Sequence, residues 1–271
     1  MMLAAKNLKV GYDERVIIED LNLKFGKGEV AAIIGPNGCG KSTLLKTLSR
    51  MILPMQGEVC LEGENIKNIK RKELSQKLCL LSQFNQAPED ITVEQLVYYG
   101  RIPHKKWYEM RTKEDDELVN WAVEETGLIQ YKDTPIGALS GGERQRAYIA
   151  QALCRKPDIL LLDEPTTHLD ISYQLELMEL IREINEKLNI TIVMVLHDLN
   201  QASRYSDRLV MMKDGAIIVD GRPKEVITQE MMCQVYGVKC EIDHDPRSGK
   251  PRIYPTATIK EGDNYVQNPY R

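Results

Sequence analysis

No run of apolar residues in this 271-residue chain approaches the roughly 18 needed to span a bilayer. The longest, at 30–34, 159–162 and 190–196, have the length of buried strands. The first residues carry no basic segment followed by an apolar stretch, so no secretory signal is expected. Six cysteines (Cys39, Cys60, Cys79, Cys154, Cys233 and Cys240) include no C-x-x-C pair, which speaks against a zinc site or a disulfide framework and for reduced thiols. There is no excess of positive charge either. Thirty-six Lys and Arg against 40 Asp and Glu leave a net charge of -4, which argues against a bulk electrostatic binder of nucleic acid. Internal repeats, low-complexity segments and sustained heptads are also missing. What remains is 42% hydrophobic and 28% charged, ordinary for a globular chain able to bury a sizeable core. Such a chain is expected to be cytosolic, and to work at a membrane only if a partner carries it there.

The pattern of what is there is α/β. Short strands at 8–12 and 15–18 precede the buried strand 30–34, which stops at Gly35-Pro36. From Lys41 the spacing turns helical, with Leu44, Leu45, Leu48 and Ile52 on one face and Pro54 as the stop. A polar, helix-rich stretch fills about 85–155, opened by a capping box of Thr92 and Gln95. Buried strands at 159–162 and 190–196 flank an amphipathic helix over 171–188, and apolar strands alternating with helices indicate a mostly parallel sheet covered on both faces. Asp214-Gly215 between two apolar runs predicts a hairpin. Beyond it the pattern predicts one helix over 224–236, a short strand pair around 247–250 and a polar tail.

Chemistry concentrates in three places. Gly35-Pro36-Asn37-Gly38-Cys39-Gly40-Lys41-Ser42 fits G-x-x-x-x-G-K-[ST] between a strand and a helix, the context that confirms a phosphate loop. Its glycines let backbone N–H groups converge at a helix N-terminus, where the dipole favours an anion. Lys41 supplies charge to the β and γ phosphates of ATP, and Ser42 a hydroxyl ligand for Mg²⁺. The strand 159–162 runs into Asp163, placed to hold the metal, and Glu164, placed to act as general base. His197 follows the strand 190–196, which should lie beside the strand ending at Glu164. That puts the imidazole near the γ-phosphate, where it could hold water and Glu164 in line.

Leu139-Ser140-Gly141-Gly142-Glu143-Arg144-Gln145 opens a further helix, a second anion-binding N-terminus or, on the plainer reading, only a Ser-capped one. In company with the motifs above, the chain resembles the ABC ATPase family over residues 1–240, with Leu-Ser-Gly-Gly-Glu as the family signature. The resemblance implies a P-loop NTPase core with a mostly parallel sheet, an N-terminal antiparallel β subdomain and an inserted α-helical subdomain at about 85–155. Residues 241–271 form a C-terminal extension. It also implies that Tyr12 stacks on adenine and that residues 35–43, through Thr43, form the phosphate loop. Gln83 contacts metal and water, and Ser140, Gly141 and Gly142 grip the γ-phosphate of an opposite subunit. Asp170 lies in the loop linking the two sites. The implied machine is a head-to-tail homodimer on the cytoplasmic side of the membrane, bound to integral permease subunits and only indirectly to an extracytoplasmic binding protein.

Two segments narrow the resemblance. Leu196-His197-Asp198-Leu199-Asn200-Gln201-Ala202 and Tyr99-Gly100-Arg101-Ile102-Pro103-His104 are similar to those of ATPases that serve ferric-siderophore, haem and cobalamin importers. Residues 84–110 would then meet the permease. The alternatives are a mechanical ATPase acting on DNA or the ribosome, or the ATPase of an exporter. About a hundred residues separate Lys41 from Ser140, without the coiled coil of the DNA-repair type. Only one cassette is present, where the translation type usually has two. Cys39, beside Lys41 among converging N–H groups, is expected to be a stabilised thiolate, unless its thiol turns away from the site. Trp107, Tyr108 and Trp121 read as local packing.

Overall fold

A computed structural model of the chain describes residues 1–83 and 85–259. Phe84, expected on the permease-facing surface, and the polar tail 260–271 lie outside the described residues. β1 (Leu3–Tyr12) and β2 (Arg15–Phe25) form an antiparallel hairpin, and β3 (Val30–Ile34) enters a second sheet. β4 (Gln56–Leu61) and β5 (Glu64–Asn65) complete the first sheet in the order β2-β1-β4-β5, all antiparallel.

The second sheet adds β6 (Leu78–Leu81), β7 (Ile159–Asp163), β8 (Thr191–Val195), β9 (Arg208–Lys213) and β10 (Ala216–Gly221), in the order β10-β9-β3-β8-β7-β6. Only β10 runs antiparallel to its neighbour. β7 lies between β6 and β8, so the strands carrying Glu164 and His197 at their ends are neighbours, as expected.

Burial explains the uniform apolar runs. Every residue of β3, β7 and β8 is buried, and alternate residues serve two cores. Ala31, Ile33, Leu161, Val193 and Val195 face the antiparallel sheet and α1 (Lys41–Leu48). Val30, Ala32, Ile34, Leu160, Leu162, Ile192 and Met194 face the helical side. A strand buried on both faces has no polar positions to alternate with.

α2 (Arg71–Lys77) leads into β6. The helical segment comprises α3 (Val93–Tyr98), a 3₁₀ turn over Tyr99–His104, α4 (Lys113–Glu125) and α5 (Gly141–Leu153). The Thr92–Gln95 capping box opens α3: the Thr92 hydroxyl accepts from Gln95 N–H at 3.2 Å, and Gln95 Oε1 accepts from Thr92 N–H at 2.9 Å. α6 (Ile171–Leu188) crosses between β7 and β8, and α7 (Leu199–Tyr205) follows β8.

Several boundaries differ from the sequence reading. The first helix stops at Leu48 rather than running to Ile52, because Arg50 takes a left-handed conformation (φ 63°) and Met51 and Ile52 N–H both fold back onto Lys46 O. The single helix expected over 224–236 is instead α8 (Pro223–Val226), α9 (Gln229–Met231) and a π-helical turn over Met232–Tyr236. Thr228 breaks it: its backbone is extended and its side chain caps Met231 N–H at 3.1 Å. The strand pair near 247–250 exists and is longer than expected, β11 (Val238–His244) against β12 (Pro251–Thr258). Trp107 is not locally packed. It stands 96% exposed, touching Tyr108 edge-on, while Trp121 is partly buried against the core. Among the described residues no helix is long and apolar enough to cross a membrane.

Candidate functional site

The C-terminal ends of β3, β7 and β8 open on one side of the parallel sheet, the usual place for a ligand in an open α/β fold. A cleft of about 550 Å³ lies there, lined by Asn37, Gly38, Gly40, Lys41, Ser42, Thr43, Gln83, Glu164 and His197, together with Arg15 and Ile17. Nine residues singled out in the sequence for a nucleotide site thus meet in one concavity. Gly35, Pro36 and Cys39 form the far side of the same loop. Asp163 is buried behind Ser42, whose hydroxyl donates to Asp163 Oδ1 at 2.8 Å.

The loop is shaped for an anion. Gly38 takes φ 79°, and no heavy atom lies within 4 Å of where a Cβ would stand. α1, with Gly40 as its N-cap, has no acidic residue in its first turn, leaving the positive end of its dipole uncompensated. Lys41 is buried, and its Nζ donates to Gly35 O at 2.8 Å and Pro36 O at 2.9 Å. A third, longer contact reaches Cys39 Sγ at 4.0 Å, and with no carboxylate among the described residues on its Nζ the cation is free to engage a phosphate.

Asp163 and Glu164 sit differently. Burial pushes the Asp163 carboxyl above its ordinary range, against the Ser42 hydrogen bond, which favours the charged form. A buried carboxylate beside a hydroxyl is a hard oxygen donor set that suits Mg²⁺. Glu164 ends the strand with a left-handed turn, φ 52°, a strained state for a non-glycine residue of the kind that clusters at functional sites. Its Oε1 faces His197 Nε2 at 2.5 Å, and its Oε2 accepts from Gln83 Nε2 at 2.7 Å and from Thr167 Oγ1 at 3.2 Å. Three donors thus hold one carboxylate.

The other expected residues lie apart. Tyr12 is half exposed at the tip of the β1–β2 hairpin, paired with Arg15. Ser140 caps α5, accepting from Glu143 N–H at 3.3 Å while Glu143 Oε2 accepts from Ser140 N–H at 2.8 Å. Gly141 faces Leu169 and Gly142 faces Tyr173, and none of the three lines the cleft. Asp170 stands at the N-cap of α6 without a side-chain cap bond.

Cys39 corrects an expectation. It is buried, its Sγ close to Gly35, and burial pushes the thiol above its ordinary value, outweighing the opposing pull of Lys41. It is therefore a thiol in the packed side of the loop, not a stabilised thiolate facing the nucleotide. The loop's outer side is tied to the β9–β10 turn by Gly215 N–H donating to Cys39 O at 3.1 Å.

Three contributors were missed. Arg15 and Ile17 line the cleft from a strand that periodicity marked only as a strand. Thr167 was legible only as part of the segment Thr166-Thr167-His168-Leu169-Asp170 that carries Asp170, with no role at Glu164.

The segment from His197 also has a structural use. Asp198 caps α7, accepting from Asn200 N–H at 2.8 Å and Gln201 N–H at 2.9 Å. The Asn200 amide pairs with both backbone groups of Ile253, fastening the β11–β12 hairpin to α7.

The family model described as ABC transporter matches residues 18–167. The iron(3+)-hydroxamate import ATP-binding protein FhuC of Bacillus subtilis is 45% identical over 92% of this chain and 93% of its own length. The ferric enterobactin transport ATP-binding protein FepC of Escherichia coli is 46% identical over 93% of each. Among solved structures, a chain of a metal-chelate type ABC transporter in an inward-facing conformation superposes with a TM-score of 0.82 at 25% identity, covering 94% of this chain and 97% of that one.

Proposed function

This chain belongs to the ABC transporter ATP-binding family, and from that membership we propose that it is the ATP-hydrolysing subunit of an importer of iron–siderophore complexes or related metal chelates. The observation that carries the reading is the cleft where the phosphate loop, Glu164 and His197 meet, with Asp163 held behind Ser42, in a chain about as similar to a hydroxamate-import ATPase as to an enterobactin-transport one. Equal similarity to ATPases of two different siderophores fits a motor whose cargo is chosen by its permease and binding protein.

In this reading the loop amides and Lys41 hold the β and γ phosphates of ATP. Ser42 and Asp163, with Gln83, would hold Mg²⁺, which when bound neutralises phosphate charge. Glu164 takes a proton from the attacking water as its oxygen bonds to the γ-phosphorus. The bond from that phosphorus to the bridging oxygen breaks, and ADP and phosphate leave. His197 keeps the carboxylate turned toward the water. Tyr12 supplies a face for adenine.

Ser140, Gly141 and Gly142 act on the nucleotide of a second copy, and their position outside this chain's own cleft is what a head-to-tail pair requires. Asp170 lies in the loop joining the two sites. The helical segment meets the permease, at the cytoplasmic face of the membrane. Residues 1–240 form the ATPase domain and 241–271 its extension.

The test is uptake of ⁵⁵Fe-loaded hydroxamate siderophore and enterobactin by cells whose only copy carries Glu164→Gln. Accumulation of at least one chelate should be abolished while the variant stays with the membrane fraction. Uptake of both at the wild-type rate would overturn the reading.

A further inference from the structure

Tyr99-Gly100-Arg101-Ile102-Pro103-His104 marks the resemblance and lies within the segment expected to meet the permease, and the cleft does not use it. In the fold it closes the C-terminal end of α5, whose N-terminus carries Ser140. α5 has no basic residue in its own last turn. Arg101 supplies one from outside: its Nη1 donates to Cys154 O at 3.1 Å, and His104 Nε2–H donates to Arg155 O at 2.9 Å. Two carbonyls at the negative end of the helix are satisfied in this way. Burial and the nearby Arg101 charge hold the His104 imidazole below its ordinary value, so it donates as a neutral ring.

Gly100 makes the approach possible. A Cβ there would lie 2.2 Å from Gln151 O.

Arg101 is buried, and so is its partner on α4, Asp115, whose Oδ1 accepts from Arg101 Nε at 3.1 Å. Lys105 pairs with the other oxygen, which also accepts from Thr112 N–H at 2.9 Å and from its hydroxyl at 2.8 Å. Burial alone would raise the Asp115 carboxyl, but these donors together hold it well below the usual carboxylate range. On its other side the turn is bound to α2, by Gln76 Nε2 donating to Pro103 O at 2.9 Å and Lys72 Nζ to Lys105 O at 3.0 Å. α2 runs into β6, and β6 leads to Gln83. Tyr99 and Ile102 face outward, 40% and 59% exposed.

We propose that Arg101 is a positioning residue that locks this exposed turn onto the far end of the signature helix, so that helix and turn move as one body when Ser140 and its neighbours engage nucleotide. A buried ion pair contributes little net stability but fixes one arrangement: removing Asp115 leaves the Arg101 charge buried without a carboxylate, whereas removing Arg101 leaves Asp115 with Lys105 and Thr112 but frees the end of α5. The inference rests on the head-to-tail reading above.

Hydrogen exchange with ATP and Mg²⁺, in a Glu164→Gln background, tests it. The background chain should show slower exchange on adding ATP both at 141–146 and at 99–104. Arg101→Gln and Asp115→Asn should keep that slowing at 141–146, at tenfold or more, and drop to less than threefold at 99–104, while Arg101→Lys retains both. If Arg101→Gln does not fold, Asp115→Asn, which keeps the carboxyl's shape, decides. Slowing retained at both segments in Asp115→Asn overturns the clamp, as does slowing lost at both. No slowing at 141–146 in the background chain overturns the head-to-tail reading instead, and the clamp with it.

Discussion

Replacing Glu164 by Gln separates its proposed role as base from its place in the scaffold around it. The carboxylate receives three donors: Gln83 Nε2 and Thr167 Oγ1 on one oxygen, His197 Nε2 on the other. A glutamine keeps the first two by turning its amide oxygen toward them. Its NH₂ then faces His197, which accommodates it by carrying its proton on Nδ1 and accepting at Nε2. One hydrogen bond is exchanged for another, so the stability change should stay within about 1 kcal/mol, a shift of roughly 2–4 °C in melting temperature. Turnover is another matter. An amide cannot accept the proton of the attacking water, and loss of a positioned base costs about 10²–10⁴ in rate, roughly 3–5 kcal/mol of barrier. Phosphate release in steady state, with a fluorescent ATP analogue to measure binding and a thermal melt to check the fold, distinguishes the two effects. The expected result is intact binding, an intact melt and turnover down at least a hundredfold. Turnover within tenfold of wild type, with the fold intact, would refute Glu164 as the base.

Further outcomes follow from the same contacts. Lys41→Ala removes the buried cation of the loop, and ATP affinity should fall about 10–100-fold by titration, in line with a lost charged hydrogen bond. Cys39, buried and with its thiol pushed up, should react with iodoacetamide at pH 7.5 far more slowly than half-buried Cys233, and equal rates would contradict the packing described. Gly100→Ala forces a methyl against Gln151 O and should cost about 1–3 kcal/mol in denaturant unfolding. Asp115, held below its unfolded value, contributes stability that is present above about pH 4 and lost as pH falls through its folded value. Between pH 6 and pH 3 the urea midpoint of the wild type should therefore fall more steeply than that of Asp115→Asn.

The candidate site was legible in the sequence wherever chemistry and local context coincide. The phosphate loop shows itself by glycines between a buried strand and a helix, and Asp163-Glu164 by carboxylates at the end of an all-apolar strand. Adjacency of the Glu164 and His197 strands followed from the alternation of strands and helices, and β7 and β8 do pair. What stayed hidden depends on contacts distant in sequence. Burial of Cys39 pushes its thiol up against the pull of Lys41, and a motif shows only the neighbouring lysine. The break at Thr228 rests on a local side-chain bond that helical periodicity does not register. Arg101 and Asn200 look like family marks until the fold shows what they hold: the end of α5 and the backbone of Ile253.

The central claim is that this ATPase drives a membrane permease, and its most direct test is capture of the closed state. Glu164→Gln, tagged and recovered from detergent-solubilised membranes in ATP and Mg²⁺, should bring down two copies of the chain with a polytopic membrane protein that mass spectrometry identifies. The yield should drop when ATP is withheld. Recovery of ribosomes or DNA-bound proteins, with no membrane partner, would leave the ATPase chemistry standing and contradict the transport function.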